Sequence, residues 1–311
     1  MQVTEINNRC LASAYIKQAA LKVGFDACGI AEARSLGEVE FGLNDWLSQG
    51  FHVNMHFMEE HRDMRHDPSL LMPEAKSVIS VLVGYKPSQT ISGDVKIAQY
   101  AYGEDYHERL KRMLYQLIAA IREDYPDFEA RPFVDTAPIS DKLWAARAGL
   151  GWIGRNTLLI TPEFGSYCFI GELVTTYETD RYDTPMPNGC GECNRCVEAC
   201  PNGAISRIGE QNHTAIISQK CNAYNTIENR EEHLPKELNL AGYAFGCDCC
   251  QLVCPYNIKA KTRYMLTDEH KQHLESLPES DEATFKKASR HSALNRIKYA
   301  QWQRNIMKVK N

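Results

Sequence analysis

No apolar stretch in this 311-residue chain approaches the length of a membrane span. The first residues, Met1-Gln-Val-Thr-Glu-Ile-Asn-Asn8, carry neither the basic nor the apolar region of an export signal. A membrane anchor and a secreted, disulfide-stapled framework are thereby set aside, and the expected compartment is the cytoplasm. An excess of positive charge is missing too. The 35 Lys and Arg stand against 40 Asp and Glu, a formal −5, which excludes a uniformly basic nucleic-acid binder. The average hides a split, because Lys286 to Asn311 carries eight cations and no acid, leaving −13 for the remainder. Such a tail reads either as a phosphate contact or as a solvated cationic helix, and charge alone favours the second. Internal repeats are absent apart from two cysteine runs.

Those runs are the most informative feature present. The first is Cys190-x2-Cys193-x2-Cys196-x3-Cys200-Pro201, and the second is Cys247-x2-Cys250-x3-Cys254-Pro255, with Cys221 upstream. A cubane [4Fe–4S] cluster takes four thiolates, and in two-cluster ferredoxins the cysteine before the proline ligates the other cluster. That rule gives Cys190, Cys193, Cys196 and Cys254 for one cluster, and Cys200, Cys221, Cys247 and Cys250 for the other. Structural zinc also uses Cys-x2-Cys pairs, but the x3-Cys-Pro endings are not a usual zinc spacing. Cys249 breaks the spacing and is expected to stay free. Cys10, Cys28 and Cys168 lie outside the runs and read as small buried residues. A protein holding two such clusters moves electrons one at a time.

The segment before the cysteines reads as α/β. Helical spacing covers Leu11–Val23, Tyr106–Arg122 and Ile139–Ala148, and extended segments are expected at Phe25–Ile30, Val78–Val83, Pro132–Val134, Thr157–Ile160 and Tyr167–Thr175. Asp180–Asn188, with Pro185 and Pro187, reads as a linker, and the tail as helical with a break around Pro278. Gly149-Leu-Gly151-Trp-Ile-Gly154 satisfies the letters of a dinucleotide fingerprint, but it follows a helix and leads to a strand. The context is inverted, so no nicotinamide site is expected. A helix C-cap followed by a loop that a planar ligand approaches closely is the better reading.

Several segments together carry a resemblance. They are Arg131-Pro-Phe-Val-Asp135-Thr-Ala-Pro138, Ala145-Ala-Arg-Ala-Gly-Leu-Gly-Trp-Ile-Gly-Arg-Asn156-Thr157, Pro162-Glu-Phe-Gly-Ser166 and Gly246-Cys-Asp248, alongside the cysteine runs. The chain resembles the epoxyqueuosine reductases, cobalamin-dependent iron–sulfur enzymes of tRNA modification, over roughly residues 10 to 260. The architecture this implies is α/β (α+β). A cobalamin-binding catalytic domain spans 1–178, a two-cluster ferredoxin-like domain 179–260, and a helical basic tail 261–311. The implied reaction converts the epoxide of epoxyqueuosine, at the wobble position of tRNA, to queuosine with loss of water. Electrons come from an external low-potential donor and pass through both clusters to cobalamin.

By the same resemblance Asp135 is the proton donor. From the residues alone, a helix cap before Pro138 is the favoured reading, and the resemblance reverses that order. A free carboxyl is almost wholly ionised at neutral pH, so burial against apolar surface is expected to raise its pKa. Cobalamin contacts are implied at Met58, Asp135, Asn156, Thr157, Ile160, Ile170, Cys247 and Asp248. Asp105-Tyr-His107 begins like the Asp-x-His-x-x-Gly motif of other cobalamin proteins but ends in Leu110, so His107 reads as a structural helix residue. Many relatives continue into a helical-repeat module where this sequence stops at Asn311, which adds weight to the basic tail as the tRNA grip. A monomer is expected. The rivals are a corrinoid reductive dehalogenase and an electron carrier with no chemistry of its own; some 180 residues before the first cysteine run argue against the carrier.

Overall fold

The computed structural model describes residues 10–37, 42–209 and 213–311, so the N-terminal stretch read above for an export signal lies outside the described residues. Strand β1 (Cys10–Leu11) leads into helix α1 (Ser13–Val23). That helix ends at Gly24, whose φ of +108° glycine adopts without strain. There follow β2 (Ala27–Glu32), α2 (Leu43–Ser48), β3 (Ser77–Gly84), β4 (Lys96–Ile97), α3 (Tyr106–Asp124), β5 (Ala130–Phe133), α4 (Asp141–Arg147), β6 (Trp152–Ile153), β7 (Leu159–Ile160), β8 (Cys168–Thr175) and β9 (Glu178–Thr179). The cysteine segment holds α5 (Arg195–Glu198), the antiparallel pair β10 (Ile205–Ile208) and β11 (His213–Ile216), β12 (Tyr243–Phe245), α6 (Cys249–Leu252) and α7 (Pro255–Lys259). The tail is α8 (Asp268–Ser276), α9 (Glu282–Ser289) and α10 (Tyr299–Lys310), with a 3-10 turn at Pro278.

Four strands form the central sheet in the order β2-β3-β8-β5, every neighbour antiparallel. Helices α1 and α3 cover one face, where Ile16, Leu110, Leu114 and Leu117 meet Ile79, Val81 and Leu173. Helix α4 covers the other, with Trp144 against Val78 and Val174. Burial on both faces explains why β3 is apolar at nearly every position rather than alternating. One cross-strand row on the α4 side is polar at its centre: Gly29, Ser80, Glu172 and Phe133 lie side by side.

Several expectations shift. Leu11 belongs to β1, which pairs in parallel with β9, and the Thr157–Ile160 strand shrinks to the two residues of β7. Cys10 is exposed and not buried, because β1 is an edge strand that turns it outward; Cys28 and Cys168 are half-buried. The three glycines at 149, 151 and 154 are filled by the protein itself. A Cβ at Gly149 would meet the Thr184 carbonyl, one at Gly151 the Ile160 carbonyl, and one at Gly154 the Ile160 side chain. No planar ligand is needed to explain them.

The tail is not a solvated cationic helix. Trp302 and Ile306 of α10 are buried in one core with Ile97, Phe245, Leu274 and Phe285. Arg304, only 8% exposed, donates to the carbonyls of Asn225, Asn229 and Glu231, and Asn305 donates to those of Thr226 and Ala244. Charge counting could not see this, since a guanidinium capping loop carbonyls counts the same as one in water. Strand β12 pairs in parallel with β4, so the segment entering Cys247 is stitched to the N-terminal half and to the tail at once.

Candidate active site and cysteine cavities

Asp135 sits just past β5 with a φ of +46°, a conformation that a non-glycine residue holds only where its surroundings enforce it. It is not a helix cap, because α4 begins at Asp141 after Ser140. The enforcing contacts come from the start of α3. The Tyr106 hydroxyl donates to Asp135 Oδ2 at 2.9 Å, and His107 Nε2 lies 3.0 Å from the same oxygen. His107 Nδ1 lies 2.7 Å from Asp105 Oδ1, and Asp105 also caps α3 by accepting from the His107 backbone N–H. A histidine between two carboxylates needs a proton on each nitrogen, so His107 is held as the imidazolium. Its pKa is raised accordingly: burial pulls it down, but the bonds and charges of Asp135 and Asp105 outweigh that.

The expected upward shift of Asp135 is overturned. Burial does push its carboxyl up, but the His107 bond and charge, the Tyr106 hydroxyl and the Arg296 charge outweigh it, and the group lies below the usual carboxylate range. Its side chain is 58% exposed, so water reaches a group that protein surrounds on several sides. His107 is a helix residue, as expected from the broken motif, and its ring lies against both Asp105 and Asp135. Asp135 meets Tyr106 and His107 across almost 30 positions of sequence, and the packing of α3 on β5 and β8 brings them together. No local signal in the sequence announces that.

An aromatic row continues from this point. Tyr106 stacks flat on Phe169, Phe169 on Tyr85, and Tyr100 lies between Tyr106 and Phe245. Tyr100 is pushed far up by burial and by the charges of both Asp135 and Asp248, which places it between those two acids. Asp248 is buried; its carboxylate accepts from the Gln99 backbone and the Gln251 amide, and burial lifts its pKa to about 7. Its side chain is thus spent inside the protein. Asn156 is 3% exposed with Nδ2 unpartnered, and the next residue, Thr157, holds a φ of +62° while its carbonyl takes the Lys142 ammonium. Ile160 is buried; Ile170 and Met58 are half-buried, Ile170 against the Ala145–Leu159 cluster and Met58 on the short turn whose Phe57 carbonyl accepts from Arg65.

Cys190, Cys193, Cys196 and Cys254 line one cavity of about 320 Å³ together with Asn156 and Ile160, so the cysteine before Pro255 joins the first run. Arg155, Arg195 and Lys259 line the same cavity. Cys250 is surrounded differently: burial and the proximity of Cys221, Asp248, Cys196 and Cys200 push its thiol up. Cys247 lies against Cys249, a contact that lowers the Cys249 pKa to about 7. Among the described residues, the one group of three possible ligand atoms mutually within 4.8 Å is His52, His56 and Glu59. No three cysteine sulfurs are that close.

A mixed α and β unit with a buttressed carboxyl–imidazole pair, joined to cysteines spaced for iron–sulfur cubanes, defines an iron–sulfur oxidoreductase. The family model "4Fe-4S double cluster binding domain" matches residues 189–257, and "Epoxyqueuosine reductase QueG, DUF1730" matches residues 65–136. The epoxyqueuosine reductase of Cellulophaga algicola is 40% identical over 309 residues, covering 97% of this chain and 99% of that protein. The solved epoxyqueuosine reductase from Streptococcus thermophilus superposes with a TM-score of 0.82 at 28% identity, over 95% of this chain and 80% of that one. A crystal structure of epoxyqueuosine reductase with an epoxyqueuosine-modified tRNA-Tyr stem loop gives 0.81 at 27%, with the same coverage. The chain belongs to the epoxyqueuosine reductase family. Among the described residues, no helix is long and apolar enough to cross a membrane.

Proposed function

We propose that this protein reduces the epoxide of epoxyqueuosine, at the wobble position of a cytoplasmic tRNA, to the alkene of queuosine. The net change consumes two electrons and two protons and releases water. The observation that carries this reading is the Asp105–His107–Asp135 line with Tyr106 at its side, an arrangement that an electron carrier would not need. Electrons enter from an external low-potential donor. Cys190, Cys193, Cys196 and Cys254 hold one [4Fe–4S] cluster, and Cys200, Cys221, Cys247 and Cys250 hold the other. Bound cobalamin supplies a reducible metal centre, which no side chain offers.

The chain fits that group. The unpartnered amide of Asn156 is a buried polar group that the protein leaves unused, and the strained Thr157 backbone lies beside it. With Met58, Ile160, Ile170, Cys247 and the Asp248 backbone they would hold the corrinoid against Asp135. The protonated His107 then settles the difficulty of a low Asp135 pKa. The working acid is the pair: a proton resides on His107 Nε2, and Asp135 hands it to the departing oxygen. Tyr106 fixes the carboxylate between them.

The test is an anaerobic assay of cluster-reconstituted protein, as a monomer, with a strong reductant and epoxyqueuosine-containing tRNA. Nucleosides are digested and read by mass spectrometry. Queuosine formed only with cobalamin present is the expected result. No conversion with both clusters intact and no corrinoid retained would instead identify an electron carrier.

A further inference from the structure

A carboxyl pair that the reading above does not use lies behind Asp135, on the α4 face of the sheet. Glu172 is fully buried at the centre of β8, in the row shared with Ser80 and Phe133. Neither of its oxygens, nor the buried Oδ1 of Asp141, takes a hydrogen bond from an N–H or a hydroxyl. The Ser80 hydroxyl in the same row is unpartnered as well. Helix α4, which opens with Asp141, packs on β8 and sets the two carboxyls against each other. Two carboxylates cannot hydrogen bond without a proton between them, and a bare carboxylate is costly to bury. The contact therefore requires at least one shared proton. Burial lifts Asp141 to about 6 although the bond from Glu172 pulls it down, while burial and the charge and bond of Asp141 all lift Glu172 well above the carboxylate range.

The pair is placed to serve Asp135. Phe133, beside Glu172, is two residues before Asp135, and Asp141 opens α4 six residues after it. Each acid of the pair feels the Asp135 charge. The charged neighbours are Lys142, next along α4 and bonded to the Thr157 carbonyl, and Arg65, whose charge couples to both Asp141 and Asp135. Both Glu172 oxygens are without a partner from either cation that would replace the shared proton.

We propose that Glu172 and Asp141 store the proton that recharges Asp135 once it has protonated the departing oxygen, and so supply the second proton of the reduction. This rests on the assignment of Asp135 as donor. The first proton leaves through Asp135. Then the O–H bond on Glu172 breaks, its proton passes to Asp141 and on to Asp135 through the water that reaches the loop, and solvent refills the pair. The two electrons come from the external donor, so epoxide, two electrons and two protons give alkene and water. Glu172 acts through Asp135 and touches no substrate.

Infrared spectroscopy of resting protein carrying carbon-13 glutamate tests the store directly. A protonated-carboxyl band at pH 7 that moves with the label and vanishes in Glu172→Gln is expected; no such band overturns the proposal. In the reconstituted enzyme, Glu172→Gln should keep iron and corrinoid yet turn over about tenfold more slowly at pH 8, with the deficit closing toward pH 6, where solvent refills Asp135 faster. A pH profile identical to the parent's also overturns it. Should Glu172→Gln not fold, the labelled parent band and the Asp141→Asn profile decide. Normal turnover by Asp135→Asn would sink the donor assignment and leave the infrared band untouched, so the two failures are separable.

Discussion

The cysteine region and the Asp135 region both ask weak acids to hold an ionisation state that burial opposes, and they meet that demand in opposite ways. Around the cysteines the protein supplies little help. Burial pushes the thiols of Cys196, Cys221 and Cys250 up, and nearby thiols push Cys196 and Cys250 further. In the proposed cluster sites these groups would become thiolates as iron binds, so metal binding and deprotonation would be one event. Around Asp135 the protein supplies everything: an imidazolium, a phenol and a distant guanidinium bring the carboxyl below its ordinary range despite burial. One region is finished by its cofactor and the other by its fold.

The largest effect separates the two regions outright. Cys254→Ser removes a ligand from the cavity it shares with the first run, so iron should fall from about eight to about four per chain and turnover should cease. Iron and sulfide analysis reads this. Cys249→Ser is the sharpening control, since its thiol touches Cys247 but lies outside both ligand sets; iron should stay near eight. An exchange of these outcomes would rewrite the ligation.

Next in size is Asp135→Asn. Loss of a positioned acid should lower turnover by about 10² to 10⁴-fold with both clusters intact, measured by queuosine formation beside iron content. Normal turnover would remove Asp135 from the chemistry and leave its strained φ unexplained.

A smaller effect reads the charge state of the pair. His107 has a raised pKa, so its contribution is fully present below the ordinary value of 6.5 and is lost as pH rises through the folded value. Asp135 has a lowered pKa, so its contribution persists until pH falls through that depressed value. The Tm deficit of His107→Gln should therefore be greatest near pH 5 and shrink as pH rises past the raised His107 pKa. Solvent screens a carboxylate this exposed, so the stability involved is on the order of 1 kcal/mol or less. A deficit that is flat with pH would mean that His107 is neutral and the pair holds no imidazolium.

The same contrast explains what could be read from sequence. The proposed cubane ligands follow a spacing rule because most are local: Cys190, Cys193 and Cys196 of one set and Cys247 and Cys250 of the other lie within a few residues, while the crossing Cys254 and Cys200 and the upstream Cys221 need the fold. Helices α1 and α3 and strand β3 were legible from their periodicity and apolar runs. The partners of Asp135 were not. Tyr106 and His107 sit on another element, and the broken motif around them marked His107 only as a structural helix residue, with nothing to show that it faces a carboxylate. Glu172 was invisible for a similar reason, since one acid in an apolar strand carries no mark of being unpartnered until Asp141 is set against it. The cations of the tail misled because two of them, Arg304 and Arg296, are spent on carbonyls and on Glu228.

That division within the tail gives the smallest effect and the finest cut. Lys287 and Arg290 on and after α9 are exposed, while Arg304 is buried under α10 and its removal would strand several carbonyls. Arg304→Ala should lower Tm by several degrees, because buried acceptors lose a charged donor worth about 1.5 to 3 kcal/mol. Lys287→Ala and Arg290→Ala should leave Tm unchanged. If these cations meet the tRNA backbone, each replacement reduces the slope of log affinity against log salt by about 1, uniformly across tRNA sequences. Binding isotherms at several salt concentrations measure it. An unchanged slope in the double variant would assign the exposed cations to solubility alone and return the tRNA grip to the surface around Asp135.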